Sequence, residues 1–375
     1  MDGDHITHIL YADDLVLLSN SSAGLQHNID RLFEFCKDWH LIVNTSKTKI
    51  MVLGKAPRNN IDYFINDNKI EKVNTYKYLG HVLSNKKNIH SDMQDYIINQ
   101  ANKAIFSLRC DTKHSLGYIP PKLALQMFDT YVLPIIEYNN ILWSEIKQNN
   151  DIERIQLSYL KSVLGVRKQT PSMAVYGETG RFPLNVRLQV NLLKYWIRLE
   201  TLPDNNILFK CLKVQKTLSN MGPNNWFFKI KKIFHENDYT LPQIQDDRQL
   251  YKTLNDMYIK IYEQAQKDIM SSINNSDLKP KLRTYKLFKL DFRLEPYLTM
   301  NFEKHIYSSI AKFRTSSHHL RIETGRHDRP FIPADQRFCL KCASGEVEDE
   351  IHHLINCQSL SDKRKIFFNI AGKQI

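Results

Sequence analysis

Glycine and proline are both scarce, 12 and 13 of 375 residues. That scarcity argues against long flexible linkers and low-complexity tracts, and no internal repeat is visible. No apolar run approaches the length of a membrane span. The richest stretch, YVLPIIEYNNILW at 131–143, is interrupted by Pro134, Glu137 and two asparagines and reads as a buried helix. A secretory leader is not expected, because the first ten residues hold Asp2, Asp4, His5 and His8. The expected location is therefore intracellular, nuclear and/or cytoplasmic, in a reducing compartment. Cysteine is sparse too: of six, Cys36, Cys110 and Cys211 stand apart in apolar surroundings, as inert core residues do.

Positive charge is what the chain has in excess, with 52 Lys and Arg against 40 Asp and Glu and a formal net charge of +12. A balance of that kind points to a polyanionic partner. Cations concentrate at 229–232 and in KPKLRTYKLFKLDFRL, 279–294, which interleaves Lys281, Arg283, Lys286 and Lys289 with Tyr285, Phe288 and Phe292. Cations for phosphates and aromatic faces for bases are what a single-strand groove needs. The plainer reading of the same stretch is an amphipathic helix with a solvated basic face and an aromatic core stripe. Otherwise the 42% hydrophobic and 25% charged composition is that of an ordinary globular chain, long enough for two or three domains.

Along the chain, ITHIL and LVLLS read as two short strands joined by Ala12-Asp13-Asp14. A helix follows from about Ala23 to Trp39, with Leu25, Ile29, Leu32, Phe33 and Phe35–Cys36 at helical spacing and Ser21 or Ser22 as N-cap. LIVNTSKTKIMVLG reads as strand, polar turn with Asn44 and Lys47, and strand ending at Gly54. FINDNKIEKVNTYKYLGHVLS adds hairpin-like structure to about residue 84. From Ser91 the texture turns helical, in DMQDYIINQANKAIFSLRC, PKLALQMFDTYVLPIIEYN and IERIQLSYLKSVLG, the last with Gly165 as C-cap.

The segment HILYADDLVLL, 8–18, sets two adjacent carboxylates between apolar runs. Burying ionised carboxylates costs several kcal/mol unless something pairs with them, so either the turn is solvated or a cation sits there. Neighbouring side chains on a strand face opposite ways, so Asp13 and Asp14 converge on one site only if the chain turns. Oxygen ligands suit hard cations such as Mg²⁺, and phosphoryl transfer uses a pair of them.

Hydrophobic runs around YADD, then the helix, NTSKT and YKYLG follow in an order that resembles the reverse transcriptase palm of non-LTR (LINE-like) retrotransposons. The resemblance makes Asp13 the principal metal ligand and Asp14 its acidic neighbour, and places Tyr11 beside the primer end. GLQHNIDRLFEFCKDWHLIVNTSKTKIMVLG resembles the family's next motif, whose lysine, here Lys47, is implied to protonate the departing pyrophosphate. TYKYLGHVLS resembles the primer-grip hairpin, around Tyr78, Leu79 and Gly80. VLPIIEYNNILW, IERIQLSYLKSVLGV and YGETGRFPL are similar to helical thumb and connector segments of the same elements. RNA template and DNA primer are the implied partners.

A complete palm needs a further upstream aspartate, a glycine-rich nucleotide-selecting motif and fingers. Only ten residues precede Tyr11. The expectation is a C-terminal part of a reverse transcriptase, from a truncated element or an incomplete reading of its gene, with an incomplete Mg²⁺ site and no polymerase activity by itself. The missing N-terminal part of the element's protein is then a further implied partner.

C339-L-K-C342, nine residues, then H352-H-L-I-N-C357 gives Cys-x2-Cys-x9-His-x4-Cys. A Cys-x2-Cys knuckle and a His and Cys five apart on a short helix can close a tetrahedron around structural zinc. His353 competes with His352, and the resemblance favours His352. Zinc knuckles often contact single-stranded nucleic acid, and Arg321, Arg326, Arg329, Arg337 and Lys341 crowd around this one. Of these, Arg326 is expected to contact nucleic acid, as are Lys281, Arg283, Lys286 and Lys289.

The expected fold is α+β: a palm remnant of antiparallel hairpins plus one helix over 1–90, a helical thumb-like region over 91–200, a basic helical connector over 201–315, and a zinc-knuckle module over 316–375. Two functions compete. One is part of an RNA-directed DNA polymerase; the other is a non-catalytic nucleic-acid-binding module built from thumb and knuckle. Protein scaffolding by 91–315 would leave the charge and both motifs unexplained.

Overall fold

Strands β1 (His8–Tyr11) and β2 (Asp14–Leu17) pair antiparallel from His8↔Leu17 to Tyr11↔Asp14, leaving Ala12 and Asp13 as a two-residue tip. The structure, a computed structural model, describes residues 6–54, 61–111, 119–144, 150–220, 222, 225–241, 246–275 and 280–371. Helix α1 (Ser22–Asp38) starts where the Ser21 hydroxyl accepts the Gly24 N–H at 3.1 Å, the cap expected for a serine before an apolar-periodic run. Strands β3 (Lys49–Ile50), β4 (Tyr63–Ile65) and β5 (Asn68–Lys72) form a sheet with β5 central. Strands β6 (Thr75–Tyr78) and β7 (His81–Ser84) make a separate hairpin.

The mixed α+β architecture matches the expectation, with two local differences. The strand foreseen at Leu41–Val43 does not form, and Ile42 is 97% exposed. Instead the Asn44 side chain accepts from Lys47 N at 3.1 Å and Ser46 Oγ at 2.7 Å, a local turn that competes with strand pairing. Second, β3 joins β5 in parallel, against the all-antiparallel expectation, because the chain between them carries β4 and has room to cross over.

The helices are α2 (Ser91–Asp111), α3 (Pro121–Met127), α4 (Leu133–Glu137), α5 (Asn140–Trp143), α6 (Asn150–Leu164), α7 (Ser172–Thr179), α8 (Leu184–Glu200), α9 (Ile207–Leu218), α10 (Trp226–Glu236) and α11 (Asp247–Asn274). They continue as α12 (Tyr285–Phe288), α13 (Lys304–Arg314), α14 (Arg321–Thr324) and α15 (Ser361–Ala371). The single helix read at 131–143 is broken: Phe128–Val132 is a wide turn just before Pro134, whose missing N–H cannot continue the ladder, and Asn139 takes φ 49° between α4 and α5. Gly165, at φ 68°, ends α6 as expected.

Two compact units result, one from 1–100, 137–146 and 191–251, the other from 101–136, 147–190 and 252–375. In the first unit α1 packs on the three-stranded sheet through Ile29, Ile50, Tyr63, Ile65 and Ile70, joined by Leu17 at the base of β2. The Gln26 amide closes the edge of β4, donating to the Phe64 carbonyl at 2.8 Å and accepting its N–H at 3.1 Å. In the second unit the core gathers Leu125, Leu160, Leu164, Tyr176, Ile269, Leu282, Tyr285 and Tyr307.

Candidate functional site

The β1–β2 hairpin is anchored at one end and bare at the other. Leu17 reaches the α1 core, whereas Leu10 and Tyr11 are 65% and 64% exposed. At the tip Ala12 holds φ 52°, a left-handed conformation costing a non-glycine residue roughly 1 kcal/mol or more. The turn exposes both Asp13 and Asp14, and among the described residues neither carboxylate has a hydrogen-bond or ion-pair partner. The solvated-turn alternative is thus met by the geometry, and so are free oxygen donors for a cation. No third acidic group joins them among the described residues.

Lys47 is exposed within the Asn44 turn, and the Tyr76 hydroxyl on β6 donates to its carbonyl at 3.3 Å. That bond ties the turn to the β6–β7 hairpin, whose tip is Leu79 at φ 46° and Gly80 at φ 78°. Positive φ at both tip positions matches the right-handed strand twist, and glycine or asparagine would adopt it more readily than leucine. The Tyr138 hydroxyl donates to the Leu79 carbonyl, and a Cβ on Gly80 would lie 3.0 Å from the same hydroxyl oxygen. Of the three residues singled out here, Leu79 faces solvent, while the Tyr78 hydroxyl is buried with no hydrogen-bond partner among the described residues. Tyr138 was not among the sequence candidates; its contact lies 59 positions away along the chain, so no local pattern announces it.

Cys339, Cys342, His352 and Cys357 converge, their ligating atoms all within 4.8 Å of one another. An antiparallel bridge between Phe338 and Val347, with the Cys339 N–H on the Glu346 carbonyl at 2.9 Å, turns the first two cysteines toward each other. A helical turn over His352–Asn356 brings in the other two. Cys339 Sγ lies 3.9 Å from Cys357 Sγ, and Cys342 Sγ 3.4 Å from His352 Nε2. A tetrahedral zinc with bonds of about 2.3 Å to sulfur and about 2.1 Å to nitrogen requires separations of about 3.8 and 3.6 Å. The donor set fits zinc and, with four protein ligands, leaves no open coordination position.

His353 packs toward Phe313 instead, ring centroids 6.3 Å apart, so His352 is the one that reaches the cluster. Glu346, which the sequence reading passed over, sits 2.6 Å from His352 Nδ1 and fixes the ring so that Nε2 faces the sulfurs. The acidic run GEVEDE was visible, but which of its carboxylates reaches the imidazole depends on the Gly345 turn, at φ 70°. The Ser344 hydroxyl, 3.2 Å from Cys342 Sγ, and the Ser344 backbone N–H hold that thiol down at about 6.

The basic stretch at 279–294 is not one helix. Lys279 lies outside the described residues; Pro280–Leu282 is a tight turn, α12 has four residues, and the rest of 283–294 is irregular. Arg283 spans two carboxylates, Glu350 at 2.7 and 3.2 Å and Glu323 at 2.8 Å. Lys289 is buried, with its ammonium 2.5 Å from Glu295 and 2.8 Å from the Arg293 carbonyl. Arg283 is thus tied up in ion pairs while remaining partly exposed, whereas Lys289 is sealed, and its assignment to a nucleic-acid surface is corrected: an ammonium without solvent exposure cannot meet a phosphate. Lys281, Lys286 and Arg326 stay half-exposed, Arg326 on Glu323 at 2.7 Å. The motif YGETGRFPL is also interior. Tyr176 and Glu178 are buried, and a Cβ on Gly180 would lie 2.4 Å from the Leu294 nitrogen.

No helix of the described residues is long and apolar enough to cross a membrane. Residues 2–83 match the family model described as reverse transcriptase (RNA-dependent DNA polymerase). A transposon-derived protein of Caenorhabditis elegans is 24% identical over 200 residues, covering 52% of this chain and 70% of that protein.

Proposed function

We propose that this chain, a relative of the reverse transcriptases of retrotransposons, is part of an RNA-directed DNA polymerase of the non-LTR type. Asp13 and Asp14 would be the acidic pair of its palm, Lys47 the proton donor to the leaving pyrophosphate, and Tyr11 with Tyr78, Leu79 and Gly80 the primer side. One observation carries this reading: two adjacent carboxylates, Asp13 at the strained tip and Asp14 at the start of β2, stand exposed and, among the described residues, unpartnered inside the matched residues.

Bound magnesium would supply charge neutralisation at the transferring phosphate. Its donor set fits only in part. Two carboxylates at one tip do not hold an ion pair in the required geometry, and among the described residues no third acid adjoins them. No step is derived through the metal. These residues supply one wall of a centre, and the chain by itself is expected not to extend a primer. The zinc cluster is structural, with Cys339, Cys342, His352 and Cys357 as ligands. RNA template and DNA primer are the partners, and the compartment is reducing and intracellular, nuclear and/or cytoplasmic.

The test is primer extension on oligo(dT)-primed poly(rA) with Mg²⁺ and dTTP. The chain alone should give none. Adding in trans a polypeptide that carries fingers and an upstream palm aspartate should restore extension, and Asp13→Asn should abolish it. Robust extension by the chain alone, or indifference to Asp13→Asn, overturns the assignment. A second reading, a non-catalytic nucleic-acid-binding module, is favoured by the +12 charge and the closed four-ligand cluster. Salt-sensitive RNA binding with no extension under either condition would select it.

A further inference from the structure

Several cations of the second unit lie close together, with Glu323 as the carboxylate nearest to them among the described residues. Lys161, near the end of α6, sets its Nζ 2.6 Å from the Lys168 carbonyl oxygen. Lys281 sets its Nζ 3.5 Å from the next carbonyl, that of Gln169. Two ammonium groups from distant parts of the chain thus lean on consecutive peptide oxygens of one loop. Arg167, in that same loop, places Nη2 2.9 Å from His319 Nδ1, and its N–H donates to Ser317 Oγ at 2.9 Å. The loop is thereby fixed to the segment that follows α13.

The charges feel one another. Burial first, and then the repulsion of Lys281, lowers the pKa of Lys161. Burial, with Arg326 and Arg167 adding repulsion against the pull of Glu323, does the same to Lys281. Among the described residues Lys161, Lys281 and Arg167 have no carboxylate within ion-pair distance, and only Glu323 attracts Lys281 from farther off. Glu323 is already paired with Arg283 at 2.8 Å and Arg326 at 2.7 Å. Half-buried like charges raise the energy of the folded chain unless an anion offsets them. His318, next to His319 in the chain, lies 2.7 Å from Glu350 Oε1, the carboxylate that also receives Arg283.

We infer that Lys161, Arg167, Lys281, His319 and Arg326 form a binding site for the phosphodiester backbone of single-stranded nucleic acid. This rests on the nucleic-acid reading above and names where in the chain the strand is held. A strand, and not a lone phosphate, suits the geometry: the cations come from α6, the 165–170 loop, the 280–282 turn and the segment 319–326, all partly exposed, so successive phosphates have separate partners. The plainer alternative is that the lysines only cap the two carbonyls. It leaves unexplained why Arg167 rests on a histidine and why one carboxylate, Glu323, already in ion pairs with Arg283 and Arg326, is the counter-charge for the cluster.

The test is fluorescence anisotropy of labelled oligo(rU) with the full chain across a salt series. Each phosphate contact on a single strand contributes about 0.7 to the slope of log K against log salt. Lys161→Gln with Lys281→Gln should therefore lower the slope by about 1.4 and weaken binding roughly tenfold at fixed salt. A charge-matched control, Lys103→Gln with Lys122→Gln at exposed positions, should change the slope far less. Lys161→Arg with Lys281→Arg should restore it. If the patch pair fails to fold, Lys281→Gln alone should still lower the slope by about 0.7. Equal slopes for patch and control variants overturn this site while leaving nucleic-acid binding intact; a wild-type chain that does not bind oligo(rU) overturns both.

Discussion

The Tyr138 hydroxyl donates its hydrogen to the main-chain carbonyl of Leu79, and its ring closes over Gly80. A leucine in a left-handed conformation at an exposed hairpin tip is unfavourable alone, so this single long-range bond holds the tip in place. Tyr138→Phe removes the bond and nothing else. It should cost about 1 kcal/mol and speed amide exchange at the tip, read by urea midpoint and hydrogen exchange. Gly80→Ala should cost more, roughly 1–3 kcal/mol, because φ 78° and the overlying ring both oppose a methyl group. Equal stability of all three proteins would remove the strained tip from the account.

Zinc should follow His352 and not its neighbour. His352→Ala, like Cys339→Ser with Cys342→Ser, should abolish bound zinc as measured by atomic absorption, whereas His353→Ala should retain it. Chelation should lower the melting temperature, since a closed site contributes its binding energy to folding. Zinc retained after His352→Ala would show that the wrong imidazole has been assigned.

Acid should loosen the region beneath the cluster. Burial alone would raise the pKa of Glu350, but the His318 hydrogen bond and the Arg283 charge outweigh it and bring the value from 4.5 down to about 2. A depressed folded-state pKa stabilises the fold above the unfolded value. That contribution, roughly 3 kcal/mol, is lost as pH falls from about 4.5 through about 2. Urea midpoints of wild type and Glu350→Gln should therefore differ at pH 7 and converge toward pH 2. A difference that persists undiminished in acid would contradict this linkage.

Lys289 should matter to folding and not to binding. Lys289→Met leaves Glu295 with Arg314, 2.9 Å away, so the loss should stay near the lower end for a broken buried pair, about 3 kcal/mol. Oligo(rU) affinity and salt slope should not change. A reduced slope would return Lys289 to the nucleic-acid surface.

Sequence alone determined what is local. The Tyr11-Ala12-Asp13-Asp14 turn between apolar runs, the Ser21 cap and the helical periods follow from contacts a few residues apart, and the Cys-x2-Cys…His-x4-Cys ligands fall within nineteen residues, so all leave a legible pattern. Their placement as a hairpin, a capped helix and a convergent four-ligand cluster needed little from the rest of the chain.

Tertiary structure decided what depends on partners far along the chain. Lys281 and Lys289 look alike in a basic, aromatic-rich stretch, yet one leans on a loop carbonyl at the surface and the other is sealed against Glu295. Tyr138 above Gly80 and Lys161 beside Lys281 are likewise products of folding. Charge and hydropathy along a chain say which side chains can ionise. Only the packed fold says which of them meets an opposite charge, and which is left facing its own kind.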